Sequence, residues 1–393
     1  MDLGSISHVK QGAQRYVTGD IVPFDQRNEM FKRPFWDPQM LALQEQFYFA
    51  EVLPRDKPGY TLTDQALVNA AWRMENEYGL GIRGGRMGFY AWDWNGRFSY
   101  PNVPEGLKIN VDDPGQTSRR VKKAARLFGA ALVGVCELDR RWIYSKSYNM
   151  TRDGGTEGEI HIPEAFKYAV AIAVDMDYTG ISCSPANPAS AAVGTGYSRM
   201  VFTTGLVAQF IRGLGYDAIP CGNDTALSIP IAIDAGLGEI ARNGLLITPG
   251  FGPRVRLAKI FTNLPLLPDK PIEFGVKDFC MICEKCAKKC PSQSIMFGPP
   301  SDERHNISNR ENVNTWHINA ETCLTYWARN GCDCSNCIRT CPFNKPPGLW
   351  HDWVRWGIKN APLLNRLFLK GDDLMGYGRK ESIKQFWEDV TIK

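Results

Sequence analysis

Nine of the twelve cysteines fall between Cys280 and Cys341, and eight of them sort into two runs whose spacing dictates how the surrounding chain must fold. Cys280, Cys283, Cys286 and Cys290 read C-x2-C-x2-C-x3-C, with Pro291 behind them. In that spacing three thiolates face one iron-sulfur cube while the fourth reaches a neighbouring cube, so a second run is required. Cys334, Cys337 and Cys341, followed by Pro342, supply it, with Cys323 upstream as the remaining ligand. The expected ligation is crossed. Cys280, Cys283, Cys286 and Cys341 hold one [4Fe-4S] cluster, and Cys323, Cys334, Cys337 and Cys290 hold the other. Cys332 competes with Cys323 for its place, although C-x-C is not a spacing such cubes usually take. Zinc is the competing reading of C-x2-C, but it leaves the x3-C-P ending of both runs unexplained.

At 393 residues, 44% hydrophobic and 22% charged, the chain is long and apolar enough to form more than one structural unit. Its formal charge of +4 is spread along the sequence without a basic run, so nucleic acid is not expected as a partner. No apolar stretch approaches the length of a membrane span, and the opening MDLGSISHVKQ has neither a charged n-region nor an apolar h-region. If the protein acts outside the cytoplasm, its leader is expected to have been removed. Thiolates kept for metal point to assembly in a reducing compartment.

Four segments are expected. Residues 1–115 form an irregular cap rich in aromatics and turn formers, as in GFYAWDWNGRFSY from Gly88 to Tyr100. Residues 116–274 alternate helix and strand: TSRRVKKAARLF reads as an amphipathic helix, AALVGVCEL, KYAVAIAVDM, YDAIPCG, GLLITPGFG and RVRLAKIFTNL as strands, and Ala189 to Leu214 and SIPIAIDAGLGEIA as helices. That alternation predicts an α/β sandwich around a central sheet. Residues 275–345 form the cluster module. The ending, 346–393, is expected to pack back over the rest, with Trp350, Trp353, Trp356 and Trp387 as packing residues.

Two clusters beside a large domain deliver electrons to an acceptor inside it. A dinucleotide is poorly supported, because Gly194-Thr-Gly196 lacks the full G-x-G-x-x-G and the acidic residue after it. GTGYSRM around Tyr197, CGNDTALSIPIAIDAGLGE from Cys221 and GFGPRVRLAKI from Gly250, followed by the double cysteine run, resemble the respiratory reductive dehalogenases over roughly residues 115–345. The resemblance implies a nitroreductase-like α/β (α+β) sandwich that binds a corrinoid, beside a C-terminal ferredoxin-like double [4Fe-4S] module. The implied reaction replaces a carbon–chlorine bond by carbon–hydrogen, with electrons passing through both clusters to Co(I).

Carried across by motif, the catalytic residues are Tyr197 as proton donor, Asn223 and Arg256. A phenol with an ordinary pKa of about 10 is a reluctant acid at neutral pH, and a guanidinium beside it stabilises the phenolate left behind. Asn223 holds the phenol or the halogen in position. Arg254, two residues from Arg256 on an expected strand, shares its face and is the alternative cation. Read without the resemblance, Tyr197 is a helix-face aromatic and Asn223 a turn residue. Gly196, Ser198, Ser228 and Gly252 are the expected corrinoid contacts, and Leu257 and Trp327 the apolar walls of the substrate pocket. No Asp-x-His-x-x-Gly motif surrounds any of the five histidines, so the resemblance implies a base-off corrinoid with no protein histidine beneath the cobalt.

The expected substrate is a small organohalide, with a lean toward a one- or two-carbon chloroalkane or a chloroethene. Two alternatives compete: an epoxyqueuosine-reductase-like corrinoid enzyme acting on tRNA, and a non-catalytic electron-transfer or corrinoid-reducing protein. The resemblance further implies an electron donor, a membrane anchor protein, and a peripheral position on the outer face of the cytoplasmic membrane after loss of a twin-arginine leader. Nothing in the sequence fixes the oligomeric state.

Overall fold

Four apolar strands build the platform on which everything else is placed: β1 (Leu132–Glu137), β2 (Tyr168–Asp175), β3 (Ala218–Cys221) and β4 (Val255–Thr262). In this computed structural model, which describes residues 6–79, 88–92, 104, 106–346 and 348–389, they form one sheet in the order β1-β2-β4-β3. Every neighbouring pair is antiparallel, with Val174 opposite Arg256 and Ala173 opposite Leu257 at the end nearest the site. Because side chains alternate along a strand, β4 sends Ala258 and Ile260 into the core on one face and Val255 and Phe261 into the core on the other. Both faces are covered, which is why these runs are almost continuously apolar rather than alternating with polar residues.

Helices α1 (Leu62–Ala71), α2 (Arg73–Tyr78), α3 (Pro114–Leu127) and α4 (Asn187–Gly213) lie on the Ala258 side, while α5 (Ser228–Asp234) covers the other. Their starts follow from local chemistry. Thr61 and Asp64 form a reciprocal capping box ahead of α1, and the Asp113 carboxylate accepts from the Gly115 and Gln116 N–H groups at the start of α3. α4 is sandwiched between the sheet and α1–α2, so it is buried almost all round and relies on small residues such as Ala189, Ser190, Ala192, Gly194 and Gly196 for close approach. The helix expected over SIPIAIDAGLGEIA stops at Asp234. Gly236 then turns the chain with φ +72°, and Glu239–Ile240 pairs with Leu246–Ile247 instead.

The cluster module shares its core with the sheet domain. Phe274, Phe279, Trp316 and Phe343 pack with Ala241 and Ile247 from the domain and with Ile358 from the C-terminal segment. Gly252 marks the seam: it has φ +56°, and a Cβ there would stand 2.3 Å from the Phe343 carbonyl oxygen. Helix α6 (Val276–Cys283) carries the first two cysteines, and α7 (Ala320–Asn330) carries Cys323.

The ending does fold back, in helices α8 (Leu349–Asn360) and α9 (Asn365–Leu374) and a short helix, α10 (Ile383–Glu388), that presents Trp387, whose indole N–H donates to Asp64 at 2.9 Å. Two of its tryptophans differ from expectation. Trp350 and Trp353 are 54% and 50% exposed and stack on each other at 5.4 Å, because α8 buries only Gly357 and Ile358 and leaves them on its open side. Residues 93–100 of the aromatic stretch beginning at Gly88 lie outside the described residues. Among the described residues no helix is long and apolar enough to cross a membrane.

Candidate active site

Tyr197, Asn223 and Arg256 come from α4, the loop after β3, and β4, and the fold brings all three together. The Asn223 amide donates to the Tyr197 hydroxyl at 2.9 Å. The Arg256 guanidinium stands 4.8 Å from the centre of the Tyr197 ring, and Trp72 at the end of α1 stacks on the same ring at 5.1 Å. Since Asn223 occupies a lone pair of the phenol oxygen, the O–H hydrogen is left for another acceptor, and among the described residues none takes it. The arrangement is thus a phenol with its proton available, under a cation and an N–H that both favour the phenolate.

Arg254 is excluded as the cation by its own bonds. It precedes the first residue of β4, so strand alternation does not apply to it, and its guanidinium donates to the Met176 carbonyl and to Asn344 at 3.1 Å. It fastens the cluster module to the sheet domain, whereas the Arg256 Nε has no partner among the described residues.

The loop that carries Asn223 is held under strain. Thr225, β-branched and fully buried, has φ +72°, a conformation costing about 1–3 kcal/mol. Lys259, 0% exposed, offsets this strain. Its ammonium donates to the Gly222 carbonyl at 2.5 Å, the Ala226 carbonyl at 2.6 Å and the Ser228 hydroxyl at 3.1 Å, spanning the loop on both sides of Asn223. Burial lowers its pKa, and the surrounding groups Cys221, Asp224 and Glu29 oppose that fall. Lys259→Met is expected to lose about 2–6 kcal/mol of stability in denaturant unfolding, because the Gly222 and Ala226 carbonyls are left without a donor at about 1–3 kcal/mol each. Its surviving folded fraction is expected to show lower kcat, because Asn223 is no longer fixed; unchanged kcat would mean the loop needs no such clamp.

Buried acids surround the site. Glu75, on α2 one turn beyond Trp72, has its carboxyl pushed up to about 8 by burial, with the charge of Asp224 adding to it, so it keeps its proton at neutral pH. Its backbone N–H donates to Ser198. Asp333, between Cys332 and Cys334, is raised by burial and pulled back by the Ser190 hydroxyl and the charge of Arg256. Cys337 packs in one cluster with Trp72 and Tyr197, which sets the second cysteine run beside the Tyr197–Arg256 pair.

The remaining predicted residues are placed as follows. Gly196 backs onto Met176 and Arg256, where a Cβ would stand at 3.0 and 3.1 Å. The Ser198 hydroxyl donates to the Ala71 carbonyl at 2.6 Å, tying α4 to α1. Ser228 is a Lys259 partner, and Gly252 lies at the domain seam. Leu257, one residue on from Arg256, packs with the core on the opposite face of the sheet. Trp327 sits with Phe31 and Phe47 at 5.8 and 6.3 Å, in a separate cluster, its indole N–H without a partner among the described residues.

The cysteines gather in two groups. Cys280, Cys283, Cys286 and Cys341 line one cavity together with Arg242 and Phe343. Cys290, Cys323, Cys334 and Cys337 feel one another's charge in a second group. Cys332 is turned away: its thiol donates to the Pro185 carbonyl at 3.3 Å and packs near Cys183 and Tyr60. Among the described residues no three His, Cys, Asp or Glu side chains converge as the ligands of a single ion do, whereas thiols standing around a cavity suit the corners of a cube. Burial is the main cause that pushes Cys280 and Cys323 up to about 12 and Cys283 to about 11, so these thiols give up their protons only when iron compensates the charge.

Residues 279–345 match the 4Fe-4S dicluster domain family. Over 358 residues the chain is 36% identical to the tetrachloroethene reductive dehalogenase of Sulfurospirillum multivorans, covering 84% of this chain and 71% of the relative. A solved catabolic reductive dehalogenase shares the fold with a TM-score of 0.73 at 22% identity; all of this chain is covered, and it spans about half, 51%, of that one. Epoxyqueuosine reductase of Bacillus subtilis is 30% identical over 132 residues, 29% of this chain and 28% of the relative.

Proposed function

Because this chain belongs to the reductive dehalogenase family of oxidoreductases, we propose that it removes chloride from a small chlorinated hydrocarbon, with Tyr197 as the proton donor. The overall change takes two electrons and one proton: the carbon–chlorine bond breaks, chloride leaves, and a carbon–hydrogen bond forms. One observation carries the reading, namely the Tyr197 hydroxyl held by Asn223 beneath Arg256 with its own hydrogen uncommitted. When the phenol gives that hydrogen to carbon, the Asn223 N–H and the Arg256 charge both interact more strongly with the phenolate than with the phenol. Stabilisation that grows along the reaction lowers the barrier.

A base-off corrinoid, when bound, supplies the electrons to the substrate, with two [4Fe-4S] clusters as its source. The residues present fit such a group. The unpartnered Arg256 Nε and Asp333 Oδ1 are buried polar atoms that the amide-bearing rim of a macrocycle would satisfy. Cys337 of the second cysteine group packs in one cluster with Trp72 and Tyr197, which supports delivery of electrons from that side.

For the substrate, the named relative supports a chloroethene, and one- and two-carbon chloroalkanes offer the same chemistry: no hydrogen bonds, and binding by burial alone. An electron donor, a membrane anchor protein and a position on the outer face of the cytoplasmic membrane rest on family membership only. Anaerobic assay of protein loaded with iron, sulfide and corrinoid, against chloroethenes and chloroalkanes in parallel, is expected to release chloride from at least one class. A fully loaded protein that releases none from either would overturn the reading.

A further inference from the structure

We propose that Arg242 sets the reduction potential of the cluster held by Cys280, Cys283, Cys286 and Cys341, holding it higher than those thiolates alone would. Arg242 is 1% exposed and lines the same cavity as the four cysteines. Its Nε and Nη2 donate to the Cys280 carbonyl at 3.1 and 2.7 Å, its Nη1 donates to the Met296 carbonyl at 2.9 Å, and its guanidinium lies 5.0 Å from the Trp316 ring centre. Among the described residues no carboxylate forms an ion pair with it. A buried guanidinium without a counter-charge is costly, and the carbonyls that surround it supply dipoles but no negative charge.

A cube on four thiolates supplies that charge. It is anionic when oxidised and carries one more negative charge when reduced, so a fixed cation beside it favours the reduced form and raises the potential. The other cations near this group are already neutralised. Lys285 pairs with Asp372 and, at 2.7 Å, with Asp373, and Lys345 pairs with Asp372 at 2.6 Å. Glu284, which also lines the cavity, is paired with Lys288 at 3.6 Å, so Arg242 is the cation at this site without an ion-pair partner among the described residues. It comes from the sheet domain rather than from the cluster module, so docking of the two parts and the potential of the cluster are linked through one side chain. At the second group the nearby Arg339 donates to the Gly378 carbonyl at 2.6 Å on the C-terminal segment, and no cavity is shared between it and those four cysteines among the described residues.

The inference rests on the cluster module and not on dehalogenation, and its readout needs neither corrinoid nor substrate. Both clusters of the full chain are titrated with a chemical reductant and followed by electron paramagnetic resonance. In Arg242→Gln one reduction wave is expected at lower potential and the other unmoved, while Arg242→Lys, which keeps the charge with fewer donors, keeps both waves in place. No shift in an Arg242→Gln protein with full iron, an equal shift of both waves, or an Arg242→Lys protein shifted as far as Arg242→Gln would each overturn it. Should Arg242→Gln not take up its full iron, Arg242→Met is titrated in its place: one lowered wave supports the charge, and two unmoved waves refute it.

Discussion

Replacing Tyr197 by Phe is expected to cut the rate of chloride release by about a hundredfold to ten-thousandfold, the usual contribution of a positioned general acid, with the protein otherwise intact. The substitution removes one oxygen from a half-buried ring that keeps its stacking on Trp72. The lost hydrogen bond from Asn223, which is itself exposed, is worth about 1 kcal/mol, so thermal unfolding should barely move. Iron content and the visible spectrum should match the parent, and residual product formed in deuterated water should take its deuterium from solvent. The comparison separates a dehalogenase from a protein that merely carries electrons or reduces a corrinoid, since such a protein has no use for the phenol. Turnover within a few-fold of the parent would remove Tyr197 from the mechanism and return it to the role of a ring packed on Trp72.

How far the site was legible depended on what each residue's neighbours in sequence betray. The cysteine runs were legible from spacing alone, because a cube constrains its ligands along the chain. Tyr197, Asn223 and Arg256 became visible only through motif resemblance; taken singly, each is an ordinary helix, turn or strand residue. The choice between Arg254 and Arg256 was not available from alternation, because β4 begins at Val255 and the chain ahead of it is not a strand. Lys259 left a signal that went unused: a lysine inside VRLAKIFT, a run otherwise fit for burial on both faces, must have its ammonium satisfied by something specific. Trp72 and Glu75 left little, since their segment has only a short helical pattern and its contact with α4 is a matter of tertiary packing. The exposed pair Trp350 and Trp353 shows the reverse error. Large aromatics bury well on average, but a helix with one narrow buried stripe leaves some of them outside.

The crossed cysteine groups give the other large effect. Cys290→Ala is expected to abolish the cluster shared with Cys323, Cys334 and Cys337 while leaving the one held by Cys280, Cys283 and Cys286, although Cys290 stands in the run of the latter three. Cys341→Ala should do the opposite. Each variant should keep about half of the iron and one of two paramagnetic signals, because each cube needs four thiolates and the lost corner in each case comes from the distant run. Chloride release should fall to background in both. Cys337 of the Cys290 group packs in one cluster with Trp72 and Tyr197, so on the proposed electron path loss of that group removes the last step of delivery. On the same path, loss of the Cys341 group stops supply from further out. Uncrossed ligation makes the reverse assignment, with Cys290→Ala erasing the Cys280 cluster, and iron counts alone would not distinguish the two. The distinguishing measurement is Arg242→Gln placed in each cysteine background. If the ligation is crossed, Arg242→Gln lowers the potential of the signal that survives in Cys290→Ala and leaves untouched the one that survives in Cys341→Ala.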